Sequence, residues 1–414
     1  MRVASLVVLI IIFAPFGQVL AEDDDGSAPV FVHDVMKSYS RTVQAAFERV
    51  SDLEMYDEDS LDEVNSWLVV TGVAMEDHHN TEAEPDDSKP VTVLKGSYIW
   101  TFDNAGTAVE VLTRSLEKGE IESFSPLIQK VFSPKFEPND PYFDDQWHLN
   151  NSGQTSGVAG EDANVMGVWD SFNGSGVVIS VIDDGVEHSH PDLSDNYVSV
   201  HSYDWCGDDS DPNPNSSDGH GTAVAGVAAG TGNNSIGVTG AAFGASIAGH
   251  RLIACGFSDS TGADALSYHN GGIDIYSNSW GPFDSGDILD GPGPITIAAI
   301  EDSVYNGRSG LGNIYTWAAG NGLDADDNSN YDGYSNSRYS IAVAAITHYG
   351  KQSWYSEPGA NILVTAHSNG GSPNYEGITT TDITGTGGYD GGDVTHDFGG
   401  TSSATPLVSG VIAL

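Results

Sequence analysis

From about residue 140 onward the chain alternates short apolar runs with helical stretches. The runs at 176–182, 247–253, 273–278, 314–317 and 341–346 stand apart from one another. Most lack clean alternation, the pattern of strands covered on both faces. Between them, 222–229 and 294–305 read as helices. Strand and helix in turn predict an α/β fold, a parallel sheet with helices on both faces. Such sheets place their functional site at the carboxyl ends of the strands. Asp183 falls at such an end, directly after the first run.

The first third has another texture. Residues 34–50 read as an amphipathic helix, with Val35, Val43, Phe47 and Val50 on one side. An acidic tract at 22–25 precedes it, and 76–89 is a polar linker. A strand (91–102), a helix (105–116) and a strand (120–131) then predict a small α+β unit. The expected division is a leader at 1–21, the α+β unit at 22–135 and the α/β domain at 136–414. The sequence stops inside the apolar run V-S-G-V-I-A-L (408–414), so the α/β domain is expected to be C-terminally truncated.

The leader changes the expected compartment. Arg2, the apolar stretch 6–13 and the small residues Val19 and Ala21 fit a secretory signal. The stretch is short for a membrane span, and no membrane anchor is visible elsewhere. Secretion permits disulfides. Cys206 and Cys255 allow one bridge, or stand as two separate buried thiols. Sequons begin at Asn150, Asn173, Asn215 and Asn233, each a match to the short and common glycan-acceptor motif. Fifty-nine acidic residues against fourteen basic ones give a net charge of −45. That balance argues against nucleic acid as a partner, because phosphate binding needs clustered Lys and Arg. It suits a basic substrate, a calcium-rich or salty medium, or simply a solvated acidic surface.

Three distant segments carry chemistry: V-I-S-V-I-D-D-G (178–185), D-G-H-G-T-A-V-A-G (218–226) and G-G-T-S-S-A-T-P (399–406). They set Asp183, His220 and Ser402 in the chain order Asp–His–Ser, the order of the subtilisin triad. A serine hydroxyl is a weak nucleophile and needs an adjacent base. His220 would take its proton, and Asp183 would orient and stabilise the imidazolium. A fourth segment, Y-T-W-A-A-G-N-G (315–322), supplies Asn321 as an oxyanion donor beside the Ser402 N–H. Any one of these residues alone reads as an ordinary loop residue; the four together in one order do not.

Further segments narrow the resemblance: N-D-P-Y-F-D-D-Q-W-H-L (139–149), D-D-G-V-E-H-S-H-P-D-L (183–193), Y-S-N-S-W-G-P (276–282), D-G-P (290–292), D-G-Y-S-N-S (332–337) and W-Y-S-E (354–357). With these, 139–414 resembles the kexin/furin branch of the subtilisin-like serine proteases, the proprotein convertases. The resemblance implies recognition of paired basic residues through acidic subsites. By position, Asp284 and Asp332 resemble the acids that hold the basic P1 side chain, and Asp184 resembles the P2 acid. Asp264 and Asp290 resemble acids further along the cleft. The resemblance also implies Ca²⁺. Asp284, Asp327 and Glu357 resemble a site beneath the P1 pocket. Asp140, Asp192 and Asn234, with the carbonyls of Thr231 and Ile236, resemble a second site.

The part before 139 resembles a prodomain that acts as chaperone and inhibitor. Its dibasic end is not visible; Lys130 and Lys135 are the nearest single basic residues. Val224, Ser329, Tyr331 and Gly359 stand where furin has cysteines, and the P-domain that follows in that branch lies outside this sequence. The reading implied is a calcium-dependent serine endopeptidase of the secretory pathway, in a Golgi-type compartment or outside the cell. It would cut protein or peptide substrates after paired basic residues and be held by its own prodomain. The alternatives are a broad-specificity secreted subtilisin and an inactive homologue that only binds.

Overall fold

The structure is a computed structural model that describes residues 66–71, 85, 87–91, 96–103, 105–127, 136–370 and 376–414. The expected leader, the helix at 34–50, most of the linker, Lys130 and Lys135 lie outside the described residues. The chain divides into two compact units, Met1–Ser133 and Pro134–Leu414.

In the first unit, β1 (Ser66–Val70), β2 (Asp87–Pro90), β3 (Ser97–Thr101) and β4 (Ser123–Pro126) form an antiparallel sheet in the order β2-β3-β1-β4. Helix α1 (Ala105–Glu117) presents Ala108 and Leu112, four residues apart, to Trp67, Val69, Trp100 and Phe124. Strand β2 corrects the sequence reading, because it lies in the stretch read as linker. All four of its residues are exposed. An edge strand is held by main-chain bonds to one neighbour and needs no apolar face, so its polarity hid it.

The second unit is built on seven parallel strands. In chain order they are β5 (Val178–Asp183), β6 (Tyr203–Asp204), β7 (Ser246–Arg251), β8 (Ile275–Asn278), β9 (Ile314–Ala318), β10 (Ile341–Ile346) and β11 (Ile362–His367). Their spatial order is β11-β10-β9-β8-β5-β7-β6. Alternate residues of one strand serve two cores, since side chains alternate across a sheet. Ile179 and Val181 join Ile247 and Ile275 in one cluster. There they pack on α2 (His220–Ala229) and α5 (Thr401–Ala413) through Val224, Val227 and Leu407. Ile182 joins Ala248, Tyr276 and Trp317 in the other. That cluster is covered by α3 (Asp259–Ser267) and α4 (Pro294–Gly310) through Leu266 and Ile300. The predicted α/β architecture is therefore the observed one. Helix α4 is broken at Gly307, Arg308 and Ser309, which have non-helical backbone angles, so its regular part agrees with the stretch read as helical.

Cys206 and Cys255 form a disulfide, which joins the loops that leave β6 and β7. A short antiparallel pair, β12 (Ile378–Thr381) and β13 (Val394–Phe398), leads into α5. Among the described residues no helix is long and apolar enough to cross a membrane.

Candidate active site

Asp183 is the last residue of β5 and is fully buried. Its Oδ1 accepts from His220 Nδ1 at 2.8 Å and from the Asp184 N–H at 2.8 Å. His220 is the first residue of α2, so the helix start holds the imidazole against the strand end. The glycine that follows is required for this approach: a Cβ on Gly221 would stand 2.2 Å from the Gly185 carbonyl oxygen. The opposite flank of the ring meets Phe398, with centroids 5.4 Å apart. Burial disfavours the charged imidazolium, yet the charge and hydrogen bond of Asp183, helped by Asp184, outweigh it. The His220 pKa is raised above its ordinary value of 6.5.

Ser402 is the second residue of α5. Gly400 before the helix has φ 73°, a conformation that disfavours any other residue, and a Cβ there would meet Asn321 Oδ1 at 3.2 Å. The Ser402 hydroxyl donates to the Ser279 carbonyl at 3.3 Å, and Ser279 Oγ donates back to the Ser402 carbonyl at 3.0 Å. Asn321 follows β9. Its Oδ1 accepts from the Thr401 N–H at 2.8 Å and from Thr401 Oγ1 at 3.0 Å. With the oxygen held there, the NH₂ group is the free end of the side chain. Asn321 and Ser402 line the same cavity. Thr401 and Ser279 were not singled out from the sequence; only their adjacency to Ser402 and to Y-S-N-S-W-G-P marked them.

The cavity is about 420 Å³ in volume, and Asp284, Asp327, Asp332 and Glu357 line it alongside Ser402 and Asn321. Carboxylate oxygens of Asp284, Asp327 and Glu357 all lie within 4.8 Å of one another. Three oxygen donors so close fit a hard cation such as Ca²⁺ or Mg²⁺. Burial, reduced by the Gly322 N–H and reinforced by Asp327, Asp284 and Asp332, pushes Glu357 up to about 8. Asp332 is outside this cluster. Its Oδ1 accepts from the Tyr334 N–H at 2.7 Å, and burial pushes it up to about 7. Two acids also brace the Asn321 loop. Asp284 Oδ2 accepts the Asn321 N–H at 3.2 Å, and Glu357 Oε1 accepts the Gly322 N–H at 2.9 Å.

The other acids singled out from the sequence sit elsewhere. Asp184 accepts from the N–H groups of His220 (3.2 Å) and Gly221 (2.8 Å), capping α2 from outside the helix. Burial, then the charge of Asp183, push its carboxyl up to about 7. Asp264 lies exposed on α3 and does not line the cavity. Asp290 is exposed too, and its backbone bridges that of Asp332. Asp140 and Asp192 are buried together. Asp140 accepts from the N–H groups of Asn233 and Asn234, while Asp192 accepts from Asn234 Nδ2 and the Val238 N–H. Burial is the first cause that raises both, Asp192 to about 6.

The sequence pattern of the Subtilase family, Peptidase S8, matches residues 174–414. The chain belongs to the subtilase family. This subtilase is 42% identical over 285 residues to the PC3-like endoprotease variant B of Hydra vulgaris, which covers 67% of this chain and 39% of that one. It is 40% identical over 283 residues to neuroendocrine convertase 2 of Homo sapiens, covering 67% of this chain and 43% of the relative. Furin-like protease 1, isoform 1-CRR, of Drosophila melanogaster is 40% identical over 281 residues, covering 67% and 24%. The similarity is thus to the proprotein convertase branch, and the chain spans less than half the length of these relatives. Among solved structures, the serine protease of Aeromonas sobria superposes with a TM-score of 0.62 at 26% identity, over 69% of this chain and 56% of that one. A protease of Pseudoalteromonas arctica gives 0.54 at 28%, over 67% and 86%. The subtilisin-like fold expected from the motifs is the fold of this subtilase.

Proposed function

We propose that this subtilase is a calcium-dependent serine endopeptidase of the secretory pathway that cuts proproteins after paired basic residues. The observation that carries the reading is the division of the four acids beside Ser402. Three bring carboxylate oxygens within 4.8 Å of one another, and the fourth, Asp332, stands outside that cluster, accepts the Tyr334 N–H and lines the same cavity. A divalent ion on the three and a guanidinium or ammonium on Asp332 would together bring up to three positive charges to four carboxylates. Neither cation alone does so, and a buried charge without a partner is costly.

The chemistry follows from the residues. The Ser402 hydroxyl rotates from the Ser279 carbonyl toward His220, which accepts its proton as Oγ attacks the scissile carbonyl. Asp183 holds Nδ1–H and stabilises the imidazolium. The negative oxygen of the tetrahedral intermediate receives the Asn321 NH₂ and the Ser402 N–H at the start of α5. His220 then returns the proton to the leaving amine, and water hydrolyses the acyl-enzyme by the same route. Asp184 serves the P2 side chain, while Asp264 and Asp290 act further along the cleft. Asp284, Asp327 and Glu357 would hold Ca²⁺, which would supply charge neutralisation beside the Ser402 cavity, and Asp140, Asp192 and Asn234 would hold a second ion. The N-terminal unit acts as inhibitor until it is released.

A fluorophosphonate probe should label one residue, Ser402, in the mature protein, and a peptide panel should show cleavage only after Arg or Lys. Labelling elsewhere, or equal cleavage after neutral P1 residues, would remove the reading. The pH profile is a second check. Activity needs neutral His220 and is lost as pH falls through the folded-state pKa. That pKa is raised, so the acid limb of kcat/KM is expected to have its midpoint above pH 6.5.

Calcium removal should act with a defined sign. In the ion-free protein Glu357 has a folded-state pKa near 8 against an ordinary 4.5. A raised value contributes stability below the unfolded pKa and loses it as pH rises through the folded one. The bound ion replaces the proton and adds its own binding free energy to the native state. Chelation is therefore expected to lower Tm at every pH, and by more at pH 8 than at pH 5. Calorimetry across that range checks it; a gap that is absent, or that narrows toward pH 8, would take the ion off these acids.

A further inference from the structure

The glycine-rich loop 383–393, between β12 and β13, plays no part in the reading above. It is nevertheless anchored at both ends. Asp382 is fully buried, and its carboxylate accepts the N–H groups of Ile383 (2.8 Å), Tyr389 (2.8 Å) and Asp390 (2.7 Å). Glu187 accepts the Thr384 N–H at 2.8 Å and Thr384 Oγ1 at 2.6 Å. The loop also lies on the segment that leads to His220. A Cβ on Gly219 would stand 3.2 Å from the Gly388 Cα and 3.7 Å from Tyr389 Cδ2.

What this anchoring presents is the Tyr389 ring. It stands 5.8 Å from Phe398, whose ring is 5.4 Å from His220. Tyr389 is 49% exposed, so its free face is open to a ligand. Burial first, then the charges of Asp184, Asp183 and Asp382, raise its phenol pKa further above the ordinary value of 10. The ring is therefore a neutral π surface near three acids, Asp184, Asp183 and Asp382. Asp184 has less to offer a cation alone than a free carboxylate has. Each of its oxygens is already engaged by an N–H of α2, which leaves it few free lone pairs for a ligand.

We propose that Tyr389 is a specificity-determining residue of this cleft, whose ring walls the subsite of Asp184 so that the two take a basic P2 side chain between a π face and a carboxylate. A cation over an aromatic face gains most when the charge is partly desolvated, as it is between two walls. The inference rests on the reading of Asp184 as the P2 acid.

The test is a matrix of peptides with Arg at P1 and Lys, Arg, Gln or Ala at P2, run on the mature full-length protein with its calcium. A second series varies P1, and a third varies P1′. Tyr389→Ala is expected to lower kcat/KM for basic P2 about three- to ten-fold relative to Gln or Ala at P2. P1 preference should be unchanged and Tm should fall only slightly, because the loop is held mainly through Asp382 and Glu187 while half of the ring is exposed. Tyr389→Phe keeps the π face and is expected to retain the P2 preference. Equal losses across P2, losses that follow P1′, or a Tyr389→Phe variant as defective as Tyr389→Ala would overturn the assignment. The P1 series reports separately on the proposed function: a wild type without basic P1 preference fails that reading, whatever the P2 series shows.

Discussion

Ser402→Ala is expected to stop both self-release of the N-terminal unit and peptide cleavage, lowering turnover by about 10⁶. The effect is that large because the remaining members of such a triad have nothing to activate. The fold should survive, since the hydroxyl makes one long hydrogen bond, to the Ser279 carbonyl at 3.3 Å, and alanine fits the same helical position. Processing is followed by intact mass in a host lacking endogenous convertases, and turnover by a fluorogenic peptide. A variant that still matures unaided would mean that the nucleophile is another residue.

Asp332→Asn is expected to cost about 3–5 kcal/mol in kcat/KM for Arg or Lys at P1, roughly 10²- to 10⁴-fold. The substitution keeps the side-chain shape and the Oδ1 that accepts from the Tyr334 N–H, and it removes the charge. Neutral P1 peptides should be nearly unaffected, and the ion should remain, because Asp332 is outside the three-acid cluster. A loss shared equally by basic and neutral P1 peptides would show that Asp332 shapes the pocket without reading the substrate's charge. The two substitutions separate chemistry from selection: the first acts on every peptide, the second on one class.

The strands of the sheet core and the chemical motifs were legible in the sequence for one physical reason. Strands covered on both faces are mostly apolar, as at Ile341–Ile346, and close approaches beside His220 and Ser402 need glycine, as at Gly221 and Gly400. Elements that break those rules were not read. Strand β11 is partly exposed, β6 has two residues, and β2 is wholly exposed. Pairings across long separations also left no local signal. Nothing near Asp184 shows that it caps a helix 36 residues onward, and nothing in residues 383–393 shows that Tyr389 returns to the His220 segment. The Cys206–Cys255 bridge was open between two readings because loop conformation, not spacing, brings the sulfurs together.

The position of Ser402 on α5, packed against α2 and the far side of the central strands, has a consequence in time. Asp183 and His220 leave the ribosome long before the nucleophile does. At about 5–20 residues per second, the 182 residues from His220 to Ser402 (402 − 220) take roughly 10–35 s to synthesise. Through that interval a nascent chain with the proposed roles has a base and no nucleophile, and α5 must still dock before Asn321 meets Thr401. On the roles proposed above, hydrolytic power waits for α5 to dock, so a chain made only as far as His220 has no means of cutting itself or its neighbours.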